Sequence, residues 1–186
     1  GLFKTNNRTK LEWLCYFFFR ANCLCITSAL VKKKFIKKIG GFRGSLFQLS
    51  DLDLWVRLAA LGDFYIIDEK LTSFRKVEKG NLSAPTQANR NRFVIEYAEV
   101  LNNYAQPPIL KLLPEIFSEE VDIPKATPTL LKAYLAIIAW NHHSPSHCLF
   151  ADRLMQEIID DPISREEISN TFGAEMIRNF YQRRGE

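Results

Sequence analysis

Two carboxylates, Asp51 and Asp53, stand two residues apart where the turn Phe42-Arg43-Gly44-Ser45 leads into Leu52-Asp53-Leu54-Trp55-Val56-Arg57-Leu58. Such a pair can do three things. One carboxylate can take a proton from a hydroxyl nucleophile as a general base. The D-x-D spelling can hold a divalent cation. Both can also sit in the first turn of a helix, where the macrodipole favours negative charge. Local physics favours the last. Ser50 is a fit N-cap, which places Asp51 and Asp53 at N1 and N3 and makes Ser50 with Asp53 a variant capping box. The metal reading is weak, because a metal-binding D-x-D closes a strand and this one opens a helix. Trp55 falls on the apolar stripe with Leu52, Val56 and Ala59, which makes it a core residue. Arg57 pairs with a carboxylate on the same helix face or with a phosphate, and the structural pairing is the expected one.

Other candidate chemistry is thinner. His142, His143, His147 and Cys148 are metal-ligand types, but Pro145 prevents one helix from presenting His143 and His147 together, so ordinary histidines in a loop are expected. Cys15, Cys23, Cys25 and Cys148 show no CxxC spacing; Cys23 and Cys25 would share one face of a strand and read as buried thiols rather than zinc ligands, which favours a reducing compartment. Lys32-Lys33-Lys34 with Lys37-Lys38 is a basic cluster; it is a solvated face or a contact for anionic lipid headgroups. Residues 164–184 have the outline of a helix-turn-helix, but Glu166, Glu167 and Glu175 oppose phosphate binding, and a terminal helical hairpin is expected instead.

The elements that position these residues follow from periodicity. Helices are predicted at 11–19, at 31–39 ending in Gly40-Gly41, and at 50–61 stopped by Gly62. Short strands are predicted at 23–28, 64–67 and 71–74. Ser83 and Thr86 are candidate caps for a helix running to about Tyr104, with Phe93, Tyr97, Val100 and Leu101 on its face. Gln106-Pro107-Pro108 punctuates the chain. Helices alone follow, at 109–117, 129–141, 146–159, 165–172 and 174–184, with breaks at Pro124, Pro128, Pro145 and Pro162. The length of 186 residues and 47% hydrophobic content fit one large or two small soluble domains, and a formal charge of +4 does not by itself argue for nucleic acid. The apolar run 11–21, with Phe17-Phe18-Phe19, is too short to span a membrane and is interrupted by Glu12 and Arg20. No signal peptide is visible.

The order of these elements resembles the C-terminal half of the catalytic domain of family 2 glycosyltransferases, which have the GT-A fold. The resemblance is carried by Asn22-Cys23-Leu24-Cys25-Ile26-Thr27-Ser28, the basic helix, Gly41-Phe42, Ser50-Asp51-Leu52-Asp53-Leu54-Trp55-Val56-Arg57-Leu58, the two short strands with Arg75, and Asn81-Leu82-Ser83. It covers about the first hundred residues. It implies that Asp51 is the general base that takes the acceptor proton in an inverting transfer from a nucleotide sugar. Asp53, Trp55, Arg57 and Arg75 would support the site or bind substrate. Two positions depart from the family pattern: Ser50 stands where Glu usually precedes the base, and Val77 stands where His often joins the metal site, so no metal ligand is expected there. Tyr181-Gln182-Arg183-Arg184 is similar to the Q-x-x-R-W motif of processive members but lacks its Trp and lies far from Asp51.

The resemblance implies an α+β, predominantly α chain: residues 1–105 as the C-terminal part of a GT-A-like mixed sheet with helices, and residues 106–186 as an all-helical extension. The donor-binding half is not recognisable before Leu11. The chain therefore reads as part of a longer enzyme of surface or extracellular polysaccharide biosynthesis, inactive alone. The parent would use Mg or Mn, with none held by this chain, and would act on a carbohydrate or lipid-linked acceptor. Its expected location is cytoplasmic, at the inner face of the membrane where headgroup contact applies. Exposed strand edges would allow a homodimer. The competing class is a non-catalytic helical interaction module; nucleic-acid binding is not expected.

Overall fold

A computed structural model describes residues 5–73 and 86–183. The chain forms two compact units, Gly1–Asn103 and Tyr104–Glu186.

In the first unit, α1 (Lys10–Arg20) opens with a reciprocal capping box. The Thr9 hydroxyl accepts from the Glu12 N–H, and the Glu12 carboxylate accepts from the Thr9 N–H at 2.6 Å. Asp63 reaches the Lys10 N–H at 2.9 Å. The buried face of α1 presents Trp13, Leu14, Phe17 and Phe18. Trp13 stacks on Phe17 at 5.2 Å, and Phe64 meets the rings of both Trp13 and Trp55. Helix α2 (Lys33–Ile39) stops at Gly40, whose left-handed φ of 77° a side chain would strain. Helix α3 (Ser50–Ala59) packs against α1 and α2. Helix α4 (Gln87–Leu101) is capped by Thr86. Its Tyr97 hydroxyl lies 2.7 Å from the carbonyls of Phe17 and Phe18 and accepts from the Ala21 N–H, closing the end of α1. Burial there pushes the Tyr97 phenol well above its ordinary range.

The expected mixed sheet is overturned: no strand occurs among the described residues. A ladder needs a neighbour in register, and the hydrogen bonds of these short apolar runs go to a turn and to side chains instead. At 23–28 the Asn22 side-chain Oδ1 takes the Leu24 N–H, and a 3-10 turn, Ile26–Ser28, folds the Ser28 and Ala29 N–H groups back on the carbonyls of Cys25 and Ile26. At 64–67 the chain is not helical and the Asn7 side chain does what a neighbouring strand would do. It donates to the Ile66 carbonyl at 3.1 Å and accepts from the Ile66 N–H at 2.6 Å. Residues 71–73 form no strand, and the rest of the expected third strand lies outside the described residues, as do Gly80-Asn81 and Ser83. A homodimer built by pairing strand edges has no edge to use among the described residues.

The second unit is helical. The single helix expected at 109–117 is two short ones, α5 (Pro107–Leu110) and α6 (Leu113–Ile116), because Pro114 has no N–H to continue the ladder. Helices α7 (Pro128–Asn141), α8 (Pro145–Asp160) and α9 (Pro162–Phe172) each begin on a proline that follows a capping Thr127, Ser144 or Asp161. Proline suits this first helical position because the N–H it lacks would be unused there. Helix α10 (Ala174–Arg183) packs on α8 and α9. Leu135, Ile138, Phe150, Met155, Ile168 and Phe180 fill the core. His147 lies in the first turn of α8, within the helix expected at 146–159 and not in the loop expected for the histidines. It is fully buried, its Nδ1 is 2.6 Å from the Ser144 hydroxyl, and its ring centroid lies 4.0 Å from that of His142 with the planes tilted by 31°. Among the described residues no helix is long and apolar enough to cross a membrane.

Candidate functional site

The two carboxylates have different environments. Helix α3 begins at Ser50, but Ser50 is its first helical residue rather than its N-cap; the N-cap is Leu49, which makes no side-chain capping bond. The Ser50–Asp53 capping box therefore does not form. The loop before the helix is held instead by Glu96 of α4. Its carboxylate accepts from three successive backbone N–H groups: Phe47 at 3.0 Å, Gln48 at 2.7 Å and Leu49 at 2.8 Å. Glu96 is itself buried.

Asp53 points inward and is fully buried. One oxygen faces Arg57 Nε at 2.9 Å and its Nη2. The other faces Arg43 Nη1 at 3.1 Å and Asn103 Nδ2 at 2.9 Å. Arg57 also donates to the carbonyls of Ile39 and Gly41 at 2.6 and 2.8 Å, which ties it to the carbonyl-rich end of α2. Asp53 is thus the hub that joins α2, α3 and the end of α4. Two guanidinium groups already offset its charge, which leaves it a poor ligand for a cation.

Asp51 is only half-buried. Its Oδ1 accepts from the Leu52 N–H at 2.7 Å, and its Oδ2 accepts from Asn22 Nδ2 at 2.7 Å. The Asn22 oxygen is held by the Leu24 N–H at 2.9 Å, which fixes the amide with its NH2 toward Asp51. Desolvation pushes the Asp51 carboxyl above the ordinary carboxylate range, against the pull of the Leu52 and Asn22 hydrogen bonds. The Asp51 backbone N–H also bonds its own carboxylate, and a carboxylate accepts about four bonds, so with three donors it keeps room for one more.

The other expected residues separate. Trp55 is 3% exposed and meets Phe64, so it is core, and its indole N–H has no acceptor among the described residues. Arg75 and Val77 lie outside the described residues. Among the described residues no group of three or more His, Cys, Asp or Glu is placed to hold a metal ion. The donor set at Asp51 and Asp53 does not fit Mg or Mn either: one carboxylate is occupied by arginines and the other by an amide. Sequence reasoning missed Glu96, Asn103 and Arg43. The signal for the first two was present, since Phe93, Glu96, Tyr97, Val100 and Asn103 recur at helical spacing and a carboxylate on an apolar stripe must find donors. Comparison with family models, with curated proteins and with solved structures finds no match.

Proposed function

We propose that residues 22–57 carry the acceptor-activating end of an inverting glycosyltransferase, with Asp51 as general base. The observation that supports this is the bond from Asn22 to Asp51. Residues 29 positions apart in sequence converge there on a half-buried carboxylate whose affinity for a proton is raised. In the reaction, an acceptor hydroxyl oxygen bonds to the anomeric carbon of a nucleotide sugar. The bond from that carbon to the diphosphate breaks, the nucleoside diphosphate leaves with the electron pair, and the hydroxyl proton passes to Asp51. Asn22 orients the carboxylate, and the Asp53–Arg57–Arg43 network holds the start of α3 in place. The reading rests on this geometry and on the order of the motif residues; the strands expected among them do not form among the described residues. A cytoplasmic location belongs to the same reading, supported by the absence of any disulfide among the four cysteines, all of which are described.

Transfer of labelled sugar from a panel of nucleotide sugars to hydroxyl acceptors by the intact protein tests the proposal. Asp51→Asn is expected to lower kcat by about 10²–10⁴-fold with the donor KM unchanged. Near-normal turnover by this variant would remove Asp51 as the base.

A further inference from the structure

Residues 21–50 contain no Asp or Glu and six cations: Lys32, Lys33, Lys34, Lys37, Lys38 and Arg43. Arg43 is engaged by Asp53. The five lysines are exposed, and none has a carboxylate within ion-pair distance among the described residues. The formal net charge of the chain is +4, so these five lysines exceed it and the remaining charges are close to balance. The basicity of this protein is therefore local.

Helix α2 has two sides. Lys33, Lys34, Lys37 and Lys38 recur at i, i+1, i+4 and i+5 and share one face. Phe35, Ile36 and Ile39 fall on the other side and are half-buried. The end of the helix is held to α3 through Arg57. The lysine face is the solvent side. Two apolar side chains flank the helix in sequence: Leu30 is fully exposed at 102%, and Phe42 is 54% exposed. A single exposed apolar residue means nothing, but two that bracket five lysines with no ion pair among the described residues have a common physical use.

We propose that this face docks on an anionic bilayer surface. The lysines would meet anionic headgroups, and Leu30 and Phe42 would enter the boundary between headgroups and acyl chains. Charge complementarity identifies the occupant, and the two apolar residues favour a bilayer over nucleic acid. Leu30 has no use against a phosphate backbone, and the free cations are all lysines, which lack the bidentate guanidinium that reads bases. The inference is independent of the role given to Asp51.

Co-sedimentation of the full chain with vesicles tests it. Binding is expected to vesicles of phosphatidylcholine with phosphatidylglycerol and not to phosphatidylcholine alone, and it should weaken as salt rises. Lys33→Gln/Lys37→Gln is expected to lower partitioning roughly 25-fold, at roughly fivefold per lysine. Leu30→Ser should lower the binding that survives high salt. All three positions are exposed, so thermal unfolding followed by circular dichroism should be unchanged in both variants. Equal partitioning into the two vesicle types would overturn the proposal, as would wild-type partitioning by the lysine variant. Oligonucleotide binding without vesicle binding, unaffected by Leu30→Ser, would assign the face to nucleic acid and overturn it too.

Discussion

Removing the Asp53 carboxylate tests whether it is a structural hub or a cation ligand. In Asp53→Ala, the Arg57 guanidinium stays largely buried, at 13% exposed, and keeps only the Ile39 and Gly41 carbonyls. Arg43 is 42% exposed and rehydrates, so its part of the loss is small, about 0–1 kcal/mol. Breaking a buried pair from one side costs about 3–5 kcal/mol, and the two remaining carbonyls place this case near the lower end. The readout must report on the first unit alone, since two units need not unfold together. The protein has three tryptophans, Trp13, Trp55 and Trp140. A Trp140→Phe background leaves the two buried ones in the first unit as the fluorescent probes. With a urea slope of about 1–3 kcal/mol/M, a loss near 3 kcal/mol moves the midpoint down by about 1–3 M. Asp53→Leu/Arg57→Met, which removes both charges, should cost less than the two single changes added together, with a coupling of about 0.5–3 kcal/mol. A cation site predicts the opposite sign, because removing an uncompensated buried carboxylate relieves the metal-free protein. A midpoint that rises or stays within about 0.5 M, or single costs that simply add, would refute the hub.

Three further outcomes follow from the same neighbourhood. Because the folded state raises the Asp51 carboxyl, it holds this proton to higher pH than the unfolded chain. The stability this proton contributes is full below the ordinary carboxylate range and is lost as pH rises through the folded value. Asp51→Asn should flatten that slope and be more stable than wild type at neutral pH. Asn22→Ala should push the Asp51 carboxyl further up, since the lost bond favours the ionised form; carboxyl-carbon NMR titration reads this, and an unchanged or lower value would refute the orienting role of Asn22. Glu96→Gln should speed amide exchange at Phe47, Gln48 and Leu49 by roughly ten- to a hundredfold, as expected when acceptors worth about 1–3 kcal/mol are lost. Exchange unchanged at all three would show that the loop holds itself.

Helices were legible where apolar spacing and end signals agreed. Helix α1 was expected at 11–19 and forms with Trp13, Leu14, Phe17 and Phe18 on its buried face, while the Thr9–Glu12 capping box that opens it was present in the sequence and went unread. The Gly40-Gly41 stop of α2 follows from the left-handed backbone needed there. Prolines at 128, 145 and 162 were read as breaks, yet each sits inside the first turn of a helix, so the same residue type marks a start. Pro114, which was not read, is the one that splits a helix. The sheet was misjudged because a β-like run specifies only half of a ladder. Whether its N–H and C=O groups find a neighbouring strand, a turn or an Asn side chain is decided by distant parts of the chain. At Ile66 the Asn7 side chain is that distant part.

The carboxylates show the same division between local and distant causes. Local physics treats Asp51 and Asp53 alike, as two acids in the first turn of a helix. Their difference comes from three residues elsewhere: Asn22 from before α2, Arg43 from the loop after it, and Asn103 from beyond α4. Arg43 and Asn103, with Arg57, bind Asp53 inward and make it inert. Asn22 meets Asp51 at the surface and leaves its carboxylate room for one more donor. Glu96 adds a constraint that neither aspartate supplies, because it holds the loop whose last residue caps α3 and so sets where the helix begins. A one-residue slip of the α3 sequence within its packing site would rotate every side chain on the helix by about 100°. It would move Asp51 away from Asn22 and Asp53 away from its arginines together. The register of α3 is therefore the property on which both the buried hub and the proposed base depend.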